Sequence, residues 1–444
     1  MKVIKRLLGI LLFVIMLSVL ISCSNSSDDD DYEGINPFTN GGTERNMIVV
    51  ISDIHLGADL TYAECKNNLN TLRNFLLRLK DSPNVKELVI AGDLLDEWFV
   101  PAPINTYGGR DQAYFVQRIA QTNEGVINAI KAIINENKIL VTYVPGNHDL
   151  TITEANVNLI LPGINQARDP ELGLGTYSPI GYPKIAIEHG HRYNFFCSPD
   201  PYSNQDIAPG TITPPGYFFT RIGALHVAQG YPTVAGDTLS VVTQNPSANE
   251  SQTLMYLYRR VWEWAIGYLK INDKFDEDII VTNFDGFTGN YCVNDLVPHQ
   301  TTPGGEIDVN LFKGIQDTWY QRQIHNRVQV PVPTAEAIAN TAKESELSDR
   351  AKDQYFLNPN SEVRLVVFGH THVAKIEASL DHNGQKTIYA NSGTWIDHNS
   401  LASTKMEFVV ITPQSDDETS QTSVKLYNYT GGKATLMNSN SLRF

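Results

Sequence analysis

The chain has 444 residues, enough for two or three domains or for one large domain carrying insertions. Hydrophobic residues make up 42% and charged residues 19%, a globular balance that excludes collagen-like, coiled-coil and wholly disordered chains. Lys and Arg total 34 against 49 Asp and Glu, a formal net charge of −15, and no basic block lies outside the extreme N-terminus. Duplex nucleic acid is therefore not expected as a partner, because the sequence-independent part of that affinity comes from cations neutralising phosphates.

The N-terminus reads as an export signal. Lys2, Lys5 and Arg6 precede an apolar run from Leu7 to Ile21, the charged-then-apolar order of a secretory leader. That run is short for a spanning helix, which needs about 20 apolar residues. Leu20-Ile21-Ser22-Cys23 resembles the lipobox of bacterial lipoproteins. Residues 1–22 are thus expected to be a lipoprotein signal peptide and Cys23 the lipidated residue. This implies export and a lipid anchor in the outer membrane of a Gram-negative bacterium, on its periplasmic or cell-surface face. Residues 23–45, with the run Asp28 to Asp31, read as an acidic disordered tether. The remaining cysteines, Cys65, Cys197 and Cys292, form no complete disulfide set and no thiolate metal motif.

Further along, strands and helices alternate. Met47–Ile51, Leu88–Ile90 and Ile139–Val144 are apolar, β-rich runs. Leu69, Leu72, Leu76 and Leu79 recur at helical spacing, and a second helix is expected over Ala113–Asn135. That order implies a parallel α/β sheet covered on both faces. Ile185–Ile187 and Leu365–Phe368 read as further core strands. The C-terminal part reads as antiparallel hairpins turning at His382-Asn383-Gly384 and Gly431-Gly432. Between the two regions lies a Pro-, Gly- and Asn-rich segment, 193–359, whose clearest helix carries Leu254, Leu257, Val261 and Trp264. Its length marks it as an insertion or cap beside a core made of 46–192 and 360–444.

Chemistry-bearing residues concentrate just after the expected strands. Asp53 and His55 follow the first, Asp93 and Asp96 the second, Asn147, His148 and Asp149 the third, His189 and His191 the fourth, and His370 and His372 the fifth. Open parallel sheets bind ligands beyond these carboxyl ends. The set offers oxygen and imidazole nitrogen but no sulfur, which suits Mn, Fe or Zn. Asp-x-His and His-x-His in extended chain present both side chains on one side. A carboxylate can bridge two cations roughly 3.5–4 Å apart. Any one of these motifs alone is more often a loop cap or a buried structural histidine. Six of the 11 histidines in four short strand-end motifs are a different matter, and point to a two-metal site.

Asp53-Ile54-His55, Gly92-Asp93-Leu94-Leu95-Asp96, Gly146-Asn147-His148-Asp149, His189-Gly190-His191 and Gly369-His370-Thr371-His372, in that order, resemble the signature of the calcineurin-like metallophosphoesterases. The resemblance covers about 46–192 and 362–397, and implies a four-layer α/β/β/α sandwich with two divalent metal ions. It implies that Asp53, His55, Asp93 and His372 hold one ion and Asp93, Asn147, His189 and His370 the other. It also implies a catalytic His148 oriented by Asp149, and hydrolysis of a phosphomonoester, phosphodiester or pyrophosphate by hydroxide held between the ions. Asp96, His191 and Arg192 are further candidates to touch a small phosphorylated substrate or to support the ligands. Ser52–Gly57 and Gly92–Trp98 are also similar to UDP-2,3-diacylglucosamine hydrolases, whose intracellular lipid substrate sits poorly with an export signal.

The insertion is dense in aromatic residues at Tyr193–Phe196, Tyr217–Phe219, Tyr256–Tyr268 and Trp319-Tyr320. These rings could wall a cap over a flat substrate group, or simply form the insertion's own core. Arg192 and Arg221 could meet a substrate anion or make structural ion pairs. Two non-enzymatic readings are a surface-exposed binding lipoprotein on a metal-stabilised phosphoesterase scaffold, and a purely structural outer-membrane lipoprotein.

Overall fold

The computed structural model describes residues 36–341, 343, 346–399, 402–415 and 420–444. The proposed signal peptide, Cys23 and the acidic run lie outside the described residues. Eleven strands build two sheets: β1 (Met47–Ile51), β2 (Val85–Ala91), β3 (Leu140–Val144), β4 (Asn165–Gln166), β5 (Ile185–Ile187), β6 (Leu365–Phe368), β7 (Lys375–Leu380), β8 (Lys386–Asn391), β9 (Glu407–Thr412), β10 (Thr422–Thr430) and β11 (Lys433–Leu442). The larger sheet runs β11-β10-β9-β1-β2-β3-β4 and the smaller β7-β8-β6-β5. β1 to β4 pair in parallel. The C-terminal strands continue that sheet antiparallel from β1 outward, as their hairpin turns predict.

Every residue of β1 is buried, because both faces of its sheet are covered. Ile48, Val50, Val89 and Val144 point inward and pack on Ile187, Leu365, Val367 and Ile388 of the smaller sheet. Their alternating neighbours Val49, Ile51, Leu88 and Ile90 point outward to Leu72, Phe75, Ile127 and Ile130 of the helices Leu69–Lys80 and Glu124–Glu136. The far face of the smaller sheet, Ala186, Val366 and Phe368, is covered by Leu347, Ala351 and Phe356. The order is thus helix, sheet, sheet, helix, and the last layer is supplied from inside segment 193–359.

Two expectations need correction, and one open alternative is decided. The helix expected over 113–135 is two, Gln112–Thr122 and Glu124–Glu136. Asn123 breaks it with ψ at 34°, and its side-chain amide donates to the Gly57 and Ile119 carbonyls at 2.9 and 2.8 Å. The tether does not extend to residue 45. Phe38 is buried against Phe75 and Phe408, a burial that contributes roughly 1.5–3 kcal/mol, and its carbonyl accepts from Ser82 Oγ at 2.7 Å. Of the two readings left open for the aromatic residues of the insertion, a wall or a core, the structure shows mostly a core. Tyr217, Phe218, Tyr258, Trp262 and Trp319 are buried in a cluster continuous with Leu94 and Trp98 of the main domain. Tyr202, Tyr231, Trp264, Tyr268 and Tyr320 are exposed exceptions. Arg221 is fully buried there and donates to the carbonyls of Val100, Ala102 and Val281 at 2.6, 2.9 and 3.0 Å, so it ties loops together instead of meeting an anion.

Candidate metal centre

The chain turns sharply as it leaves β1, β2 and β6. Asp53, His55, Asp93, His370 and His372 all take left-handed backbone angles, with φ between 52° and 71°, at a cost of order 1–3 kcal/mol each for non-glycine residues. Local bonds hold them there. Asp53 N–H donates to Gly92 O at 3.1 Å and His55 N–H to Asp93 O at 2.9 Å, while His370 N–H reaches the Asp53 carboxylate at 3.0 Å. Glycine is required beside them for lack of room. A Cβ on Gly146 would run into the Asp93 carboxylate and backbone, and one on Gly92 into the His189 ring.

These turns bring distant side chains to one place. His189 Nε2 lies 3.1 Å from Asp93 Oδ2 and 3.0 Å from Asn147 Oδ1. His372 Nε2 lies 3.2 Å from Asp53 Oδ1 and 3.2 Å from His55 Nε2, which is itself 3.6 Å from Asp93 Oδ2. The His370 ring sits beside His189, with centroids 5.2 Å apart. Asp53, His55, Asp93, Asn147, His189, His370 and His372 therefore converge, with the two aspartates between the imidazoles.

Donor chemistry at this point calls for positive charge. His189 Nδ1 faces the Ala91 carbonyl at 2.9 Å and must donate to it, which turns Nε2 towards two oxygens, a position that calls for either a proton or a cation. His55 Nδ1 faces the Asp96 and Glu64 carboxylates at 3.1 and 3.3 Å, so its Nε2 likewise faces the centre. Burial disfavours a charged His189, but the Asp93 and Asp53 carboxylates outweigh it and hold the ring up at about 9. His370, buried and beside His189, is instead pushed down to about 3. Among the described residues three carboxylate-imidazole groups have ligand atoms within 4.8 Å of one another: Asp53 with His55 and His372, Asp53 with Asp93 and His189, and His55 with Glu64, Asp96 and His148. Divalent cations fit this donor set.

Beside the cluster stands His148, and here the expected partner is replaced. Its Nδ1 lies 2.9 Å from Asp96 Oδ1, and burial of the ring is outweighed by the Asp96 charge, which raises its pKa. Asp149 points the other way. Its carboxylate accepts from the backbone N–H of Gly146, Leu94 and Leu95 at 2.7, 2.9 and 3.2 Å. It fixes the two turns that carry Asn147 and Asp93 and does not orient His148. Burial and the neighbouring Asp93 charge lift its carboxyl to about 6.

The other candidates separate clearly. His191 is buried and its Nε2 faces the Gly173 carbonyl at 2.9 Å. Its ring lies 5.4 Å from that of His189, so it packs behind the ligands and is not a surface residue. Arg192 is buried in ion pairs with Glu188 and Asp169, both at 2.7 Å, and braces the fold instead of presenting a free charge. Glu64, which no motif marks, is brought to His55 by a clamp. Asp397 N–H donates to the Glu64 carbonyl at 2.8 Å, while the Asp397 carboxylate accepts from the backbone N–H of Lys66, Asn67 and Asn68 at 2.9–3.2 Å.

Residues 47–220 match the family model described as calcineurin-like phosphoesterase, a stretch that ends before His370 and His372. No curated protein matches the chain. Among solved structures, one similar chain is a Vps29 point mutant from Entamoeba histolytica. It shares 9% identity over 89% of this chain and 99% of its own length, with a TM-score of 0.29.

Proposed function

Residues 47–220 match the calcineurin-like phosphoesterase family, and on that premise we propose that the protein is a dinuclear-metal-dependent phosphoesterase. Its substrate would be a small phosphomonoester, phosphodiester or pyrophosphate met outside the cytoplasm, with Cys23 carrying a lipid anchor. The observation that carries this reading is the convergence of Asp53, His55, Asp93, Asn147, His189 and His372, whose imidazole nitrogens and carboxylate and amide oxygens face one another at 3.0–3.6 Å.

A pair of divalent cations held there would supply Lewis acidity, lowering the pKa of water and offsetting charge on phosphoryl oxygens. The chain's own residues do the rest. Asp53 and Asp93 give the anionic oxygens. Ala91 O and the Asp96 and Glu64 carboxylates fix the tautomers of His189 and His55 so that Nε2 faces inward. Asp96 holds His148 by Nδ1, leaving Nε2–H to protonate the leaving oxygen or to stabilise charge on the phosphoryl group.

The test is turnover of p-nitrophenyl phosphate and bis-p-nitrophenyl phosphate by purified protein reconstituted with Mn²⁺ or Zn²⁺, with metal content measured in parallel. The wild type should bind two equivalents and hydrolyse at least one ester. Asp93→Asn should lose metal and activity together, and His148→Ala should keep metal and lower turnover, less on these activated esters than on an alkyl ester. A fully loaded wild type inert towards every phosphoester would favour a binding role and end this reading.

A further inference from the structure

We propose that Trp98 is a positioning residue for His148, and that the first turn of the insertion helix Pro215–Ala228 holds it in place. The inference rests on the phosphoesterase reading and adds a role for the insertion in that same site. The indole of Trp98 stacks on the His148 imidazole, with centroids 4.9 Å apart and planes 29° from parallel. On its edge the imidazole meets His55 at 4.4 Å and 86°, and its Nδ1 is held by Asp96. His148 is thus fixed by one hydrogen bond, one ring edge and one ring face. Without the face, the imidazole could swing about the Asp96 contact.

Trp98 is itself confined. Its side chain is 1% exposed, and its backbone N–H donates to the same Asp96 Oδ1 at 2.8 Å, so one oxygen registers both residues. The indole N–H has no hydrogen-bond partner among the described residues, which leaves packing to hold the ring. That packing comes from the insertion. Gly216 approaches so closely that a Cβ there would lie 3.0 Å from Trp98 Cζ3 and 2.7 Å from the Phe196 carbonyl. The Tyr217 ring meets the indole edge-on at 6.2 Å. The path from insertion to acid is three residues long: Gly216, Trp98, His148. It gives segment 193–359 a function that does not require it to cover the substrate.

A positioned acid matters in proportion to how badly the leaving group needs its proton. Trp98→Leu keeps an apolar side chain of smaller volume but removes the aromatic face, and Trp98→Phe keeps a face. On the metal-loaded protein, Trp98→Leu should lower kcat for an alkyl phosphoester by roughly tenfold or more while changing that for the p-nitrophenyl ester by less than about threefold. KM and metal content should stay as in the wild type, and Trp98→Phe should recover most of the loss. His148→Ala, measured beside them, should show the same leaving-group dependence more strongly. Equal losses on both esters in Trp98→Leu, or no recovery by Trp98→Phe, would overturn the inference while leaving the phosphoesterase reading intact. If His148→Ala itself lost equally on both esters, the acid role and the inference would fall together.

Discussion

Asp96 Oδ1 lies 2.9 Å from His148 Nδ1, and the second oxygen of the same carboxylate lies 3.1 Å from His55 Nδ1. One side chain thereby sets the tautomer of a metal-facing histidine and of the expected acid. Burial alone would raise this carboxyl, but the two histidines beside it outweigh that and hold it far below its usual range. Asp96→Asn should lower kcat by roughly 10²–10⁴ and weaken metal retention by roughly 10–100-fold, read by steady-state kinetics and chelator competition. Asp149→Ala should behave differently. It leaves three backbone amides without an acceptor, each at about 1–3 kcal/mol, so the primary readout is a lower Tm.

Room at the Gly146 turn is a second testable point. Gly146→Ala would press a methyl group on the Asp93 carboxylate, and Asp93 faces both His55 and His189. The variant should fold, with a reduced Tm, and lose bound metal. Elemental analysis after dialysis decides the matter, and full wild-type occupancy would count against Asp93 as a shared ligand.

Glu97, next in sequence to Asp96, is fully buried, and its carboxylate accepts from Tyr107, Gln112 and Thr151 at 2.7, 2.9 and 2.6 Å. Burial raises its pKa from 4.5 to about 7 against those hydrogen bonds. The folded state therefore holds a proton that the unfolded state releases between these values. Its contribution to stability is complete below about pH 4.5 and is lost as pH rises through about 7. Glu97→Gln should remove that component. The difference in Tm between Glu97→Gln and wild type should move in favour of the variant from pH 5 to pH 8, and a constant difference would refute the assignment.

Much of this site is legible in the sequence because each ligand follows a short, buried, β-branched strand, and a parallel sheet aligns its strand ends. Asp53, Asp93, His189 and His372 follow from that rule alone. Partners set by backbone turning are not legible in the same way. Asp149 adjoins His148 in sequence, yet the tight turn at Gly146 sends its carboxylate back to the Leu94 and Leu95 amides. Asp96, 52 residues away, makes the contact instead. Glu64 arrives only because Asp397 clamps its loop, a contact between segments far apart in the chain. The aromatic residues of the insertion are ambiguous for a related reason: Tyr258 and Trp262 read alike as wall or core until neighbouring segments close over them.

The most direct test of the whole account is a crystal structure of the protein grown with manganese, with anomalous difference density collected at the metal edge. The account predicts two peaks bounded by Asp53, His55, Asp93, Asn147, His189, His370 and His372, with Asp93 touching both. Protein that hydrolyses phosphoesters with no peak among these residues, or with one bound elsewhere in the fold, would contradict it.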